Sequence, residues 1–318
     1  MTLKTKVNAA LQANISTKKK KKKKIFTASN VMLYLMFLPA IIHYVIFSYI
    51  PMPGILLAFA DYRIGGFNGW VGLENFRYLF NLPYFWQAFL NTWIFVILRY
   101  LISFPAPIIF AILLNEVKTT YYKKFLQTIS TLPHFISWVV VAGIWTSMLS
   151  PTTGYINYII RLCGGEPVYF LAKPKLFPFL LTLIGVWKEV GYSAIVYLAA
   201  ISGIDPELYE AAIVDGATKF HQMRYITLPG IKNTVLVVLV LSFAGVLNFF
   251  EPPFVFMNPM IQSTAEVLDV YIYNVGLVKA RYSLATAAGL FKSVISFVLL
   301  LFANFMSKRL TEDGRGII

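Results

Sequence analysis

The chain has 318 residues, 58% of them hydrophobic and only 13% charged, with a formal net charge of +14. A soluble domain averages about 45–50% apolar and about 25% charged residues. Apolar stretches long enough to cross a bilayer recur here, so the composition excludes an ordinary soluble fold and predicts an all-α polytopic membrane protein.

Residues 1–30 read as a cytoplasmic, lysine-rich tail and the source of most of the basicity: nine lysines, Lys4, Lys6 and Lys18 to Lys24, lie there. Such a segment is too polar to form a core and is expected to be disordered, with at most a contact to anionic lipid. No aromatic residues or fold context accompany the lysines, so nucleic-acid binding is not expected. The long span that follows, without a small-residue cleavage site, argues against a cleaved signal peptide.

Six spans are predicted, over roughly 31–50, 86–114, 125–149, 176–200, 231–256 and 285–307. They make residues 31–310 a membrane domain, with 311–318 as a short C-terminal tail. Pro39, Pro105 and Pro107 sit inside or near spans, which is tolerated where neighbouring helices satisfy the freed backbone groups. The loop at 51–85 carries Phe59, Tyr62, Phe67, Trp70, Phe76, Tyr78, Phe80, Tyr84 and Phe85. Interfacial belt and packing roles stand there beside contact with an external partner. Residues 150–175 and 257–284, richer in Pro, Gly and Asn, are expected to be irregular.

Eighteen of the 28 Lys and Arg fall in the tail, in 115–124, in 201–232 and in 308–318, all on one side of a six-span layout. Seven fall on the other side, and Arg99, Lys188 and Lys292 lie inside spans. The excess predicts that both termini are cytoplasmic, together with the loop 201–230.

Ionisable groups at membrane depth are costly and normally face an interior, a partner or water. Arg99, Lys188, Glu189, Glu251 and Lys292 are such groups, and Trp187, Tyr192, Asn248 and Phe249 accompany them. Lys188 and Glu189 project about 100° apart on a helix, so they need not pair. Aromatic faces mixed with hydrogen-bonding groups suit a sugar path. Mutual neutralisation and interfacial placement are the plainer reading of each residue taken singly. If Arg99, Lys188 and Lys292 met the acids in one cavity, its field would be positive and would favour acidic cargo.

The loop 201–230 holds a short polar helix. Asp205 suits the N-cap and Pro206 the first helical position, Glu207 puts negative charge in the first turn, and Gly216 ends the helix by accepting a positive φ. Ala211 and Ala212 let another surface approach closely. Pro229 marks the boundary before the next apolar run. There is one cysteine, Cys163, so no internal disulfide can form, and His43, His134 and His221 are too scattered to suggest a metal site. No phosphate-cradling glycine loop or nucleophile elbow appears.

Glu210-Ala211-Ala212, three residues, Gly216, nine residues, then Ile226, Leu228 and Pro229 resembles, without a gap, the signature loop of permease subunits of binding-protein-dependent ABC importers. Trp187 to Gly191, Tyr197 to Ile201, Ile204 to Ala212, Ser263 to Leu268 and Tyr271 to Tyr273 are similar to the carbohydrate branch, in particular its oligosaccharide and alginate-type subgroup. The likeness covers about residues 30–310. Met257-Asn258-Pro259-Met260 departs from it, where many sugar permeases carry a Gly-Gly-Pro turn.

The resemblance implies a type I ABC importer fold, maltose-permease-like, in a bacterial inner membrane, and an ATPase-coupling set of Glu210, Ala211, Ala212, Asp215, Gly216 and Ala217. It implies a homologous second permease, two ATPase subunits and an extracellular or periplasmic solute-binding protein as partners. No cofactor or metal is expected on this chain, with ATP and Mg bound by the partner ATPase, and the chain is not an enzyme. Acidic oligosaccharide is the favoured cargo. A neutral sugar or an amino acid, or a membrane enzyme acting on a lipid-linked sugar, remains as the alternative.

Overall fold

A computed structural model describes residues 28–310. Almost all of the lysine-rich tail, and the C-terminal tail from 311, lie outside the described residues. The chain forms two units, 1–54 and 55–318. In the first, the helix Ala28–Tyr44 runs into a π-helical turn, Val45–Tyr49, and from Val31 on the side chains are exposed and almost wholly apolar.

The second unit opens with an antiparallel hairpin, Ala60–Arg63 and Gly66–Trp70. Gly66 (φ 108°), paired with Arg63, follows the two-residue turn Ile64-Gly65 in a region that L side chains rarely adopt. The hairpin is pinned by the Tyr62 N–H, which donates to Ser283 Oγ at 2.9 Å, and by Asn75 Nδ2, which donates to the carbonyls of Ala58 and Ala60 at 3.0 and 2.9 Å. The loop aromatics divide: Phe85 is fully buried and Phe59 and Phe76 pack beneath it, whereas Phe67, Trp70, Tyr78 and Tyr84 are exposed.

Four helices are long and apolar enough to cross a membrane: Val31–Phe59, Pro83–Asn115, Phe177–Ser202 and Tyr282–Met306. Two bent pairs raise the number to six if each pair is one span: Thr120–Phe135 with Trp138–Met148, bent by 105°, and Lys219–Gly230 with Lys232–Phe243, bent by 56°. The chain is thus a multi-pass helical membrane protein.

Three sequence expectations need correction. The third span is not the continuous helix expected over 125–149. Pro133 opens a 3-10 turn, Leu132–Phe135, and Ile136 and Ser137 are extended before Ser137 caps the next helix. The fifth does not run through 231–256 either: its helix ends at Phe243, and a separate short helix, Glu251–Phe256, starts where Pro252 and Pro253 suit a first turn. Nor is 257–284 irregular. It holds helices at Gln262–Ala265 and Leu268–Tyr273 and a π-helical turn at Asn274–Val278, while 150–175 contains the helix Tyr155–Leu162.

Prolines also widen the helices locally. The second span passes through a π-helical turn, Arg99–Ser103, in which the Phe104 N–H reaches back five residues to the Arg99 carbonyl at 2.8 Å. Pro105 follows with no N–H to donate and a ring that would strike the preceding turn, and the extra residue absorbs both.

In lipid there is little hydrophobic drive between helices, so close packing of small residues carries more of the association. Ala88, Ala285, Ala287 and Ala288 sit in one buried cluster, and Ala111 and Ala194 in another. At Gly191 the approach is extreme: a Cβ there would stand 2.3 Å from the Ser130 carbonyl, so the fourth span meets the first half of the third backbone to backbone.

Buried polar side chains hold the connecting segments. Asn157, wholly buried, donates to the carbonyls of Leu149, Ser150 and Val168 and accepts from the Val168 N–H. Asn91 donates to the carbonyls of Ser263 and Glu266, and Thr92 accepts from the Leu268 N–H, so the second span organises the Ser263 to Leu268 stretch. At the departure from the family pattern, Asn258 Oδ1 accepts from the Met260 N–H at 2.9 Å while its Nδ2 donates to the Leu171 carbonyl. An Asn side chain thus forms this turn by bonding its own backbone two residues on.

Candidate translocation cavity and coupling loop

The loop between the fourth and fifth spans is built from strong local signals. The Asp205 carboxylate accepts from the Glu207 N–H at 3.0 Å and starts the helix Pro206–Val214. At its end the Ala217 N–H bonds to the Ala212 carbonyl at 2.8 Å and the Gly216 N–H to that of Ile213 at 3.0 Å, with Gly216 at φ +77°. That pair of bonds satisfies carbonyls a helix end would leave open, and it requires a left-handed residue at 216.

Thr218 then caps a second helix, Lys219–Gln222, which continues through a π-helical turn to Leu228–Gly230. Tyr209 Oη and Thr227 Oγ1 lie 3.0 Å apart and tie the two helices together. Lys219 pairs with Glu116 at 3.2 Å, which ties the loop to the end of the second span. Gly230 lies so close to Ile204 that a Cβ would come within 2.6 Å of it. The loop is therefore braced at its base. Its outer surface presents Glu210, Ala211, Asp215 and Gly216, with Ala212 and Ala217 half-buried behind them and Leu208, Ile213 and Val214 exposed around them. This is a small, smooth, partly apolar knob with acidic edges.

Within the bundle, a cavity of about 420 Å³ is bounded by the second, third, fourth and fifth spans. Arg99, Glu189, Ser193 and Ser242 supply its polar wall, and Phe95, Trp138 and Phe249 its aromatic one. Of the residues expected on a substrate path, Arg99, Glu189 and Phe249 therefore meet. Trp187 and Tyr192, on the same helix as Glu189, and Asn248, beside Phe249, are exposed. Glu251 is exposed in the first turn of its own short helix.

Lys188 is buried behind the cavity wall. Its Nζ donates to the His134 carbonyl at 2.7 Å and to Glu189 Oε1 at 3.1 Å, and it sits 5.6 Å above the Trp138 ring. Lys188 and Glu189 do pair, despite their angular separation, because the long Lys stem swings back to the turn where His134 holds the other oxygen. His134 Nδ1 lies 2.6 Å from Glu189 Oε2, and its ring stacks on Tyr192 at 3.8 Å. Arg99 forms no ion pair with any described residue.

The three in-span cations do not share one cavity in this chain. Lys292 pairs with Asp269 in a second, more open cavity lined by Tyr62, Phe250, Tyr273 and Tyr282. Asp269 Oδ2 also accepts from the Phe249 N–H at 2.8 Å. His134, Trp138 and Asp269 were not singled out from sequence. The signals for them were slight: a Pro-His pair inside an apolar run, and a lone acid after Leu268. Among the described residues no group of three or more His, Cys, Asp or Glu could hold a metal ion.

Residues 118–312 match the family described as the binding-protein-dependent transport system inner membrane component. The chain is 41% identical over 310 residues to the polygalacturonan/rhamnogalacturonan transport system permease protein YteP of Bacillus subtilis (strain 168), covering 96% of this chain and 97% of that one. It is 40% identical to protein LplB of the same organism, over 89% of this chain and 90% of that one. Among solved structures it resembles a chain of a bacterial ABC transporter involved in the import of the acidic polysaccharide alginate, with a TM-score of 0.85, 43% identity, and coverage of 92% of this chain and 100% of that one. The matched family, the transport permease at 41% identity along nearly the whole chain and the solved transporter agree, and the chain belongs to the binding-protein-dependent transport system inner membrane components as a permease subunit.

Proposed function

We propose that this chain is the permease subunit of an ATP-driven importer of oligosaccharides, and that its cargo carries carboxylates. One observation supports the charge preference above the others: Glu189 is already neutralised by Lys188, so Arg99 is left as the uncompensated charge on the cavity wall. A guanidinium grips a carboxylate through two parallel hydrogen bonds, which an ammonium cannot copy. The solved neighbour's acidic cargo points the same way.

The remaining parts of the machine follow from this reading. A homologous permease completes the path, and two ATPase subunits bind ATP and Mg²⁺ and seat the 206–217 knob. A solute-binding protein delivers cargo from outside, as the alginate transporter's complex with a pentasaccharide-bound periplasmic protein suggests. Closure of the ATPases moves the knob, and the braced loop passes that movement to the spans.

Charge removal tests the cargo. Arg99→Gln is expected to lower uptake of a uronate trisaccharide by about ten- to a hundredfold, the worth of one or two charge-assisted hydrogen bonds, and uptake of a neutral trisaccharide by less than about twofold. Arg99→Lys should fall between. Equal losses for both sugars would leave Arg99 a structural role only.

The same reading places the coupling loop and both termini in the cytoplasm. Cys163, exposed in the loop at 150–175, is then outside. It should react with an impermeant maleimide added to intact cells, whereas a cysteine placed at Thr218 in a Cys163→Ser background should react only after the cells are opened. The opposite pattern would invert the topology.

A further inference from the structure

The break in the third span is also where the fourth span's charged groups are held. In four residues of turn, His134 supplies three contacts to the fourth span: its carbonyl to Lys188, its Nδ1 to Glu189 and its ring face to Tyr192. The Ser130–Gly191 backbone contact lies one helical turn away and fixes the spacing of the two helices at that point.

The consequence falls on Glu189. One of its oxygens is engaged by Lys188 and the other by His134, so the carboxylate cannot rotate, yet it lines the cavity. An ionised carboxylate has about four lone-pair directions. Two are occupied, and the others are left to accept hydrogen bonds from the cavity side. A fixed acceptor of this kind costs a ligand no ordering entropy, which is how supporting contacts raise affinity. Hydroxyl groups of a sugar ring are donors of the right kind, and Arg99 on the same wall takes a carboxylate.

We propose that His134 is a positioning residue of the cargo path: it locks the Glu189 carboxylate as a preset acceptor for cargo hydroxyls, acting through Glu189 and not by touching cargo. The proposal rests on the reading of the Arg99–Glu189 cavity as part of that path.

The test uses the full transporter, isolated through a tag on this chain and reconstituted in vesicles, with a uronate trisaccharide as the probe cargo. His134→Phe keeps a ring to stack on Tyr192 and removes the partner of Glu189. His134→Asn loses the stack and keeps a hydrogen-bonding nitrogen near the Nδ1 position. We expect His134→Phe to raise the half-saturating cargo concentration at least fivefold, with the maximal rate within twofold, and His134→Asn to stay within twofold on both measures. Glu189→Gln should show at least the shift of His134→Phe, and the double variant His134→Phe/Glu189→Gln no more than Glu189→Gln alone, because the two act as one unit.

If His134→Phe does not assemble, Glu189→Asp, which draws the carboxylate one methylene back from both of its holders, carries the same expected shift. Multiplied effects in the double variant, or His134→Asn as poor as His134→Phe, would overturn the positioning role while Glu189 keeps its own. An unchanged half-saturation in Glu189→Gln would remove the cavity from the cargo path, and the positioning role with it.

Discussion

Gly216→Val is expected to reduce both transport and cargo-stimulated ATPase activity at least tenfold, in a protein that still reaches the membrane and binds its partners' detergent-solubilised complex weakly or not at all. The space around Gly216 is open, so the added side chain meets nothing. The penalty is in the backbone: φ is +77°, and for a β-branched residue the left-handed region costs at least about 1–2 kcal/mol. To escape it, the chain must give up the bonds from Ala217 to Ala212 and from Gly216 to Ile213, and the end of the helix that carries Glu210 frays. A lever transmits force only while it stays rigid. Asn tolerates this conformation better than Ala, and Ala better than Val, so activity should fall in the order Gly, Asn, Ala, Val. Wild-type activity in a well-expressed Gly216→Val protein would detach this loop from coupling.

That loop was legible because its determinants are local. Asp205-Pro206 starts the helix and Gly216 stops it, each acting over a few residues, so sequence and structure agree without help from distant contacts. Membrane crossing was legible for a similar reason: about 20 apolar residues suffice to span a bilayer, whatever surrounds them. The breaks were not. Apolar character continues across Phe135 to Val141, and only Pro133 and Ser137 hint that the helix turns through a large angle between them. Composition measures whether a segment can lie in lipid, and says little about whether it does so straight.

The site was legible as a list and not as a geometry. Arg99 and Glu189 stand out as ionisable groups at membrane depth, with Phe249 as an aromatic accompanying such groups, and the three line one cavity. Which charges cancel was beyond the reach of spacing along one helix. Lys188 and Glu189 meet through His134, 54 or 55 residues away in the chain, and Lys292 meets Asp269 across 23. The His134 contacts and the Lys292–Asp269 pair join different segments of the fold, and only packed helices bring them together.

The Lys292–Asp269 pair should be the most sensitive ionic contact among the described residues of the second unit. Both side chains are more than four-fifths buried, and the carboxylate does two jobs, holding Lys292 with one oxygen and the Phe249 N–H with the other. Removing one member of such a pair typically costs about 3–5 kcal/mol, because the other is left charged and unpaired, whereas replacing both with neutral groups is often close to neutral. Lys292→Leu is therefore expected to lower the melting temperature and the monodisperse yield sharply. Asp269→Asn should cost less, since its side-chain oxygen can still accept from Phe249 and the freed lysine can snorkel along its stem towards the open side of its cavity. The double variant Asp269→Asn/Lys292→Leu should recover most of the loss, with Phe249 still held at the cavity wall and transport largely retained. Asp269→Leu/Lys292→Leu should recover stability but not transport, because the grip on Phe249 is gone. Thermal melting by intrinsic fluorescence, with uptake measured alongside, separates these outcomes. A double variant as unstable as Lys292→Leu would mean that the lysine stabilises the helix by its packing and not by its charge.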